Sequence, residues 1–207
     1  MTKFLHIKML NKAHPYSGSP GADSEAWGRI ILFHELEGSA TILVDTEWDL
    51  LVFSEWFVTN KQALCLETLV APGNQRSQKG ESIAEAVTRL NQKEFSDDEE
   101  AMEFEWFDFL YQFNMRHNLW CSLMGNKIPN ILLCCNNGDG EISFFSDGEK
   151  WRHEFDMNNF IKEVEQEIEK FLLYWKNNRG TENPLNRAEL ILNKLEVAEG
   201  LDCCKGD

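Results

Sequence analysis

The sequence lacks the short motifs that mark most catalytic and cofactor-binding sites. It contains no CxxC or HExxH pattern for zinc, no Walker loop or GxGxxG turn for a nucleotide, and no GxSxG elbow for a serine nucleophile. It also has no apolar run that reaches the ~18 residues expected of a membrane-spanning helix. The sequence therefore predicts no catalytic residue, no metal ligand, no cofactor and no membrane span.

Positive charge is scarce as well. The chain of 207 residues carries 20 Lys and Arg against 35 Asp and Glu, which gives a formal net charge of −15. Binding to a phosphate backbone or to an anionic membrane needs clustered Lys and Arg, so nucleic acid and membrane surfaces are not predicted partners. A surplus of acids instead accelerates encounter with a basic protein.

The first fifteen residues lack the apolar stretch of a secretory signal peptide, so we predict a cytoplasmic protein. In that compartment cysteines are normally reduced, and all six are predicted to be thiols with structural roles. They are Cys65, Cys121, Cys134, Cys135, Cys203 and Cys204.

Apolar and β-branched runs predict strands in the first half of the chain, at 4–10, 27–36 and 40–46. Thr46 and Asp49 form a pair similar to a capping box, and they predict that a largely buried helix starts there. Further along, Ile83, Val87 and Leu90 have the spacing of a short amphipathic helix.

In the second half, short turn signals separate four apolar runs and predict a four-stranded antiparallel meander. The predicted strands are Asn118–Gly125, Asn130–Asn136, Glu141–Ser146 and Lys150–Phe155. Asp156 is the predicted N-cap of a long helix that ends near Asn178. This helix has a predicted apolar stripe of Phe160, Val164, Ile168, Phe171 and Trp175. The predicted fold is α+β, an antiparallel sheet packed by several helices in a single domain over 1–207. Residues 181–200 form an appended C-terminal helix in this scheme, and 201–207 a flexible tail.

The segment Ser96–Met115 combines the densest acids with the densest aromatics of the chain. Ser96 and Glu99 form a predicted capping box at the start of a helix, and there is no Lys or Arg from Glu94 to Asp108. A helical projection gives this helix two apolar faces instead of the single stripe of an ordinary surface helix. One face holds Met102, Trp106, Phe109, Leu110 and Phe113, and the opposite face holds Phe104, Phe107 and Tyr111.

Two interpretations of the second face remain open. The helix is either sandwiched between other elements of the chain, or its second face is a surface for a partner, with aromatic anchors edged by acids. In the second case the predicted partner-binding residues are Glu100, Glu103, Phe104, Glu105, Phe107, Asp108 and Tyr111.

The overall character of the chain resembles that of bacterial immunity proteins, which neutralise toxins delivered by neighbouring cells. The resemblance lies in the acidity, the mixed α+β content, the richness in tryptophan and the lack of a catalytic motif. The segments 48–60, 105–117 and 156–175 also resemble uncharacterised bacterial open reading frames. Many of the toxins concerned are basic nucleases. The resemblance therefore implies a stoichiometric inhibitor that sequesters a basic protein.

Two other functions are compatible with the sequence. Acids near the predicted hairpin turns, such as Asp139, Glu141 and Asp147, would serve a hydrolase that uses carboxylates. Alternatively, the second apolar face would close a homo-oligomer of a scaffold or regulatory subunit. The sequence does not determine the oligomeric state.

Overall fold

A computed structural model describes residues 4–16, 18, 25–36, 39–136, 138–178, 182–197, 203 and 204. It contains helices and antiparallel sheets, as the predicted α+β class requires. The chain divides into two compact units, one comprising 1–62 and 155–202 and the other 63–154 and 203–207. The prediction of a single domain stays a prediction. Within the described residues, no helix has the length and apolar character needed to cross a bilayer.

The first unit is built on a three-stranded sheet in the order β1-β2-β3. Its strands are β1 (Phe4–Asn11), β2 (Trp27–Leu36) and β3 (Ser39–Asp49), and all pair antiparallel. The long helix α4 (Met157–Asn178) packs on the edge strand β1. Glu163 and Glu167, one helical turn apart, accept hydrogen bonds of 3.0 and 2.9 Å from the main-chain N–H groups of Ile7 and Met9. The helix thereby satisfies donors that an open sheet edge leaves unpaired.

The predicted start of the first helix was wrong. Strand β3 continues through Thr46 to Asp49, and helix α1 (Leu50–Leu66) begins after it. The Asp49 carboxylate accepts hydrogen bonds from the N–H groups of Leu51 and Ala26, so Asp49 caps α1 and also ties it to the residue before β2. Pairing with β2 holds residues 46–49 in an extended conformation. A capping pattern depends only on neighbouring residues, so it cannot predict pairing with a distant strand.

The predicted long helix and its apolar stripe are confirmed in α4. Asp156 accepts a hydrogen bond of 3.1 Å from the N–H of Asn159, which is the N-cap arrangement. The residues of the stripe, all buried, are Phe160, Val164, Ile168, Phe171 and Trp175. The last helix, α5 (Glu182–Val197), occupies the region predicted for an appended helix, and Arg187 forms a two-pronged ion pair with Glu55 of α1.

The second unit contains the helices that matter for the candidate site. Two short strands, β4 (Val70–Ala71) and β5 (Gln75–Arg76), flank a turn and are followed by α2 (Ile83–Asn91) and α3 (Glu100–His117). β4 and β5 pair with each other, and a second three-stranded sheet, called the second sheet below, has the order β6-β7-β8. Its strands are β6 (Leu132–Asn136), β7 (Asp139–Ser146) and β8 (Glu149–Phe155).

The second sheet has three strands, so the predicted four-stranded meander was wrong. Residues 119–122 form a short 3₁₀ turn, and Asn118 contributes only an isolated bridge to Leu132. The side chain of Asn118 accepts a hydrogen bond of 3.0 Å from the N–H of Trp120 and so caps that turn. This local bond offers the backbone an alternative to strand pairing, although the apolar residues are typical of a strand. The turn between β7 and β8 is present as predicted, and Asp147 and Gly148 form it with positive φ.

Four cysteines of the second unit form disulfides, so the prediction of six thiols was wrong. Cys65 bonds Cys203 and Cys135 bonds Cys204, with Cα separations of 4.3 and 5.3 Å. Of the predicted flexible tail, these two cysteines lie in a turn bonded to the rest of the unit, and residues 201, 202 and 205–207 lie outside the described residues. Cys121 and Cys134 are free thiols.

Candidate functional site on helix α3

The start of α3 is stabilised by the predicted capping box. The Glu99 carboxylate accepts hydrogen bonds from the Ser96 N–H and hydroxyl, at 3.0 and 2.9 Å, and the main-chain donation lowers the pKa of Glu99. Residues 97–99 form a 3₁₀ turn, so the α-helix proper begins at Glu100. The predicted helix over 96–115 is therefore confirmed with a tighter first turn and an end two residues later, at His117.

The inner face of α3 packs into the core of the second unit. Trp106, Leu110 and Phe113 are buried, together with residues of α2 and β6. The Trp106 indole N–H donates to the Leu90 carbonyl oxygen at 3.0 Å, which satisfies its only polar atom. This face is one of the two that the helical projection predicts, except that Met102 at its edge is exposed.

The end of α3 is held by an ion-pair cluster that the sequence did not reveal. Arg116 donates two hydrogen bonds to the Glu67 carboxylate, at 2.8 and 2.6 Å, and Nε2 of His117 lies 3.1 Å from it. Nδ1 of His117 lies 2.9 Å from the Leu133 carbonyl oxygen. Burial opposes ionisation of Glu67, but the bonds from His117 and Arg116 outweigh burial and lower its pKa to about 2. Both ends of α3 are thus fixed by side-chain bonds.

The outer face of α3 carries the predicted aromatic residues in contact with solvent. Phe104 is 77% exposed, Phe107 47% and Tyr111 61%. A phenylalanine with three quarters of its surface in water is unusual, because burying such a side chain is worth about 1.5–3 kcal/mol. The described part of the chain leaves these rings half or more in solvent, so it does not sandwich α3 on both faces.

The predicted acids surround these rings. Glu100, Glu105 and Asp108 are exposed and Glu103 is half-buried. Within the described residues none of the four forms an ion pair or accepts a side-chain hydrogen bond, so their charges face solvent without compensation. The structure therefore brings all seven predicted residues together on the solvent side of one helix.

Two hollows lie on either side of this outer face. One, of about 560 Å³, runs between α3 and the turn at 72–74, and Glu105, Asp108 and Gln112 line its helix side. The other, of about 500 Å³, lies on the Tyr111 side and has no charged residue among the described residues that line it. We call them the acidic groove and the neutral hollow. The carboxylates and amide of the acidic groove suit the guanidinium or ammonium group of a basic side chain.

The acids considered for hydrolysis line neither hollow, and one of them has a structural role. Glu141 is fully buried, accepts hydrogen bonds from the Ile83 N–H at 2.6 Å and from Asn136 at 2.8 Å, and forms an ion pair with Arg152. It thereby anchors the start of α2 on the sheet. The acidic groove has two carboxylates but no histidine among the described residues that line it. No group of three or more metal-ligating side chains occurs in the described part of the chain.

Comparison with family models, with curated proteins and with solved structures finds no match to this chain.

Proposed function

We propose that the protein is an acidic cytoplasmic binding protein of the immunity type, which sequesters a basic protein partner such as a toxin through the outer face of α3. The observation that carries the proposal is the exposure of Phe104, Phe107 and Tyr111 amid uncompensated acids. A chain that used these rings for its own stability would bury them.

The aromatic rings would supply most of the affinity. Interface hot spots are enriched in large aromatic side chains, and their truncation costs about 2 kcal/mol or more. The rings lie on a helix fixed at both ends, so little main-chain conformational entropy is lost when a partner covers them. The neighbouring acids would then form ion pairs with Lys or Arg of the partner, and the acidic groove would bind one such side chain.

The charge of the chain would govern how fast the complex forms. A net charge of −15 attracts a basic protein over distances comparable to the Debye length, about 8 Å at physiological salt. Association should therefore slow steeply as salt rises, while dissociation, which depends on the aromatic contacts, should change less. A salt-dependent association rate with a nearly constant dissociation rate distinguishes a specific acidic interface from non-specific hydrophobic binding by exposed rings.

The two alternative functions have different signatures. A hydrolase that uses carboxylates normally sets one of them apart by burial or by a close charged neighbour, and Glu105 and Asp108 of the acidic groove are both exposed. A homo-oligomer would cover the same rings with a second copy, but two acidic surfaces would then face each other and repel. Light scattering at micromolar concentration that finds a dimer, lost on Phe104→Ala, would favour the oligomer over our proposal.

The proposal is tested with three baits in extracts of the native host. These are the wild type, the variant Glu105→Lys/Asp108→Lys, and the control variant Glu149→Lys/Glu169→Lys. The control changes the net charge by the same amount as the test variant, but on β8 and α4 instead of α3. Glu149 and Glu169 suit this purpose because both are exposed and neither forms an ion pair in the described part of the chain.

We expect the wild type and the Glu149→Lys/Glu169→Lys control to retain the same basic protein, and Glu105→Lys/Asp108→Lys to lose it. The retained protein is then purified, and its association rate with the wild type is measured between low and high salt. Equal retention by all three baits, or an association rate that does not respond to salt, would contradict the proposal.

The cytoplasmic location is a separate part of the proposal. Disulfides persist mainly in oxidising compartments, so the bonds of Cys65 and Cys135 oppose this location. Rapid alkylation of thiols in intact host cells, followed by mass spectrometry, reports whether these cysteines are reduced where the protein works. Alkylation of these cysteines would support a cytoplasmic location. Disulfides that remain intact would indicate an oxidising compartment.

A further inference from the structure

The neutral hollow has a composition unlike that of the rest of the chain. Charged residues make up 27% of the sequence, yet the described residues that line this hollow of about 500 Å³ include none. Its volume falls within the usual range for small-molecule sites, about 300–1,000 Å³. A wall without charge disfavours an ionised ligand, which would lose water without gaining a counter-charge.

Three amide side chains in the wall are held in defined orientations. Asn91 and Asn114 donate their N–H groups to main-chain carbonyl oxygens of their own helices, at 3.0 and 2.8 Å. Asn118 instead accepts, through its oxygen, the hydrogen bond from the N–H of Trp120. A carboxamide carries one oxygen and two N–H donors, so these bonds leave Asn91 and Asn114 with an acceptor oxygen and one N–H each, and Asn118 with both of its N–H groups. The three side chains thus keep both donors and acceptors for a ligand.

Aromatic side chains border the same hollow. Tyr111 and Trp120 come from α3 and the turn that follows it, and Phe145 comes from β7. Tyr111 and Phe145 are 61% and 39% exposed, so both rings have free surface. Aromatic surface beside a few oriented polar groups is the usual make-up of a small-ligand site.

We propose that the neutral hollow binds an uncharged ring compound that carries hydroxyl or amide groups, of the size of a monosaccharide or a nucleoside. The oriented amides match the hydrogen-bonding groups of such a ring, and the aromatic side chains cover its less polar surface. This inference does not rest on the proposed protein partner, because it concerns a small molecule and a wall that the acids of α3 do not line.

The first test uses probes that differ in charge but share one ring. N-acetylglucosamine is neutral, glucosamine is a cation, and N-acetylglucosamine 6-phosphate is an anion; adenosine and adenosine monophosphate form the nucleoside arm. Binding is followed by the shift of the Trp120 indole N–H signal in NMR spectra of the full chain. We expect one neutral probe to bind in the millimolar range or tighter, and its charged relatives at least tenfold more weakly.

The cationic sugar is the decisive control. The net charge of −15 attracts a cation to the protein as a whole, so general electrostatics favours glucosamine over its neutral relative. Tighter binding of the neutral sugar therefore reports local contacts in the hollow and not general electrostatics. Equal or tighter binding of glucosamine, or no shift with either neutral probe up to about 20 mM, overturns the proposal.

The second test changes the wall. Asn118→Asp keeps the acceptor for the Trp120 N–H but replaces the donor with a charged oxygen, and it should weaken the neutral probe at least tenfold. Tyr111→Ala removes an exposed ring and should weaken it severalfold, while Tyr174→Ala on α4 should not. If Asn118→Asp fails to fold, the affinity of Tyr111→Ala for the neutral probe is the deciding measurement. An unchanged affinity in Tyr111→Ala contradicts the proposal.

Discussion

Replacing Glu67 by glutamine tests the reasoning about how α3 is held. The Glu67 carboxylate accepts two hydrogen bonds from Arg116 and lies 3.1 Å from Nε2 of His117, which is fully buried. Glutamine has nearly the same shape, so the substitution removes the charge and one acceptor without creating a cavity. The variant therefore isolates the electrostatic part of the contact.

The expected loss follows from the ionisation of Glu67. Its pKa is lowered from 4.5 to about 2, and one pKa unit corresponds to about 1.4 kcal/mol. The ionised carboxylate therefore contributes about 3 kcal/mol to stability. The glutamine oxygen still accepts one hydrogen bond, and the Glu67 side chain is 25% exposed, so we expect a loss of about 2 kcal/mol at pH 7.

The direction of the pKa shift determines how the contribution of Glu67 to stability depends on pH. The pKa of Glu67 is lower in the folded state than in the unfolded state, so its contribution is fully present above about pH 4.5. It is lost as the pH falls towards 2, because the carboxylate is then protonated in both states. The difference in unfolding free energy between wild type and Glu67→Gln should therefore shrink as the pH falls from 5 towards 2.

Urea unfolding followed by circular dichroism measures this difference, since urea does not screen charges. Glu169→Gln on α4 serves as the matched control, because Glu169 is exposed and forms no ion pair in the described part of the chain. A loss below about 0.5 kcal/mol at pH 7, which is the scatter of ordinary surface substitutions, would refute the reasoning. A difference that stays the same at pH 5 and pH 2.5 would refute it as well.

Three further predictions concern the two faces of α3 and the disulfides. Trp106→Phe removes the hydrogen bond to Leu90 and part of a buried ring, and should lower the unfolding free energy in urea by at least about 1–2 kcal/mol; no loss would mean that neither the bond nor the packing contributes. Phe104→Ala should change it by less than about 0.5 kcal/mol, since the ring is already in water, and a larger loss would mean that the ring is packed. Cys204→Ser, which removes the bond to Cys135, should cost about 2–4 kcal/mol in oxidising buffer and almost nothing in reducing buffer; equal melting temperatures in oxidising buffer would contradict the disulfide.

Local patterns were sufficient to place α3 and α4. The stripe from Phe160 to Trp175 and the cap at Asp156 are relations between residues a few positions apart, and both are present in α4. The same is true of the capping box at Ser96. Such bonds form within one helix and depend little on what packs against it, so the sequence is enough to place them.

Strand pairing was harder to predict from the sequence. Residues 119–122 have the apolar character of a strand, but the side chain of Asn118 caps a 3₁₀ turn there, and the second sheet has three strands. Residues 46–49 look like a helix start but pair with β2. In both places the outcome depends on whether a partner strand is present, and that partner lies elsewhere in the chain.

For the candidate site, the sequence by itself determined that α3 has two apolar faces and that acids edge the outer one, because residue order and the pitch of the helix dictate both. Only the tertiary structure decided that Trp106 is covered and Phe104 is left in water. It also decided the bonds of Glu67 to Arg116, the disulfides, and the uncharged wall of the neutral hollow. Each of these joins groups far apart in the chain, and their proximity follows from the packing of whole elements and not from any local spacing.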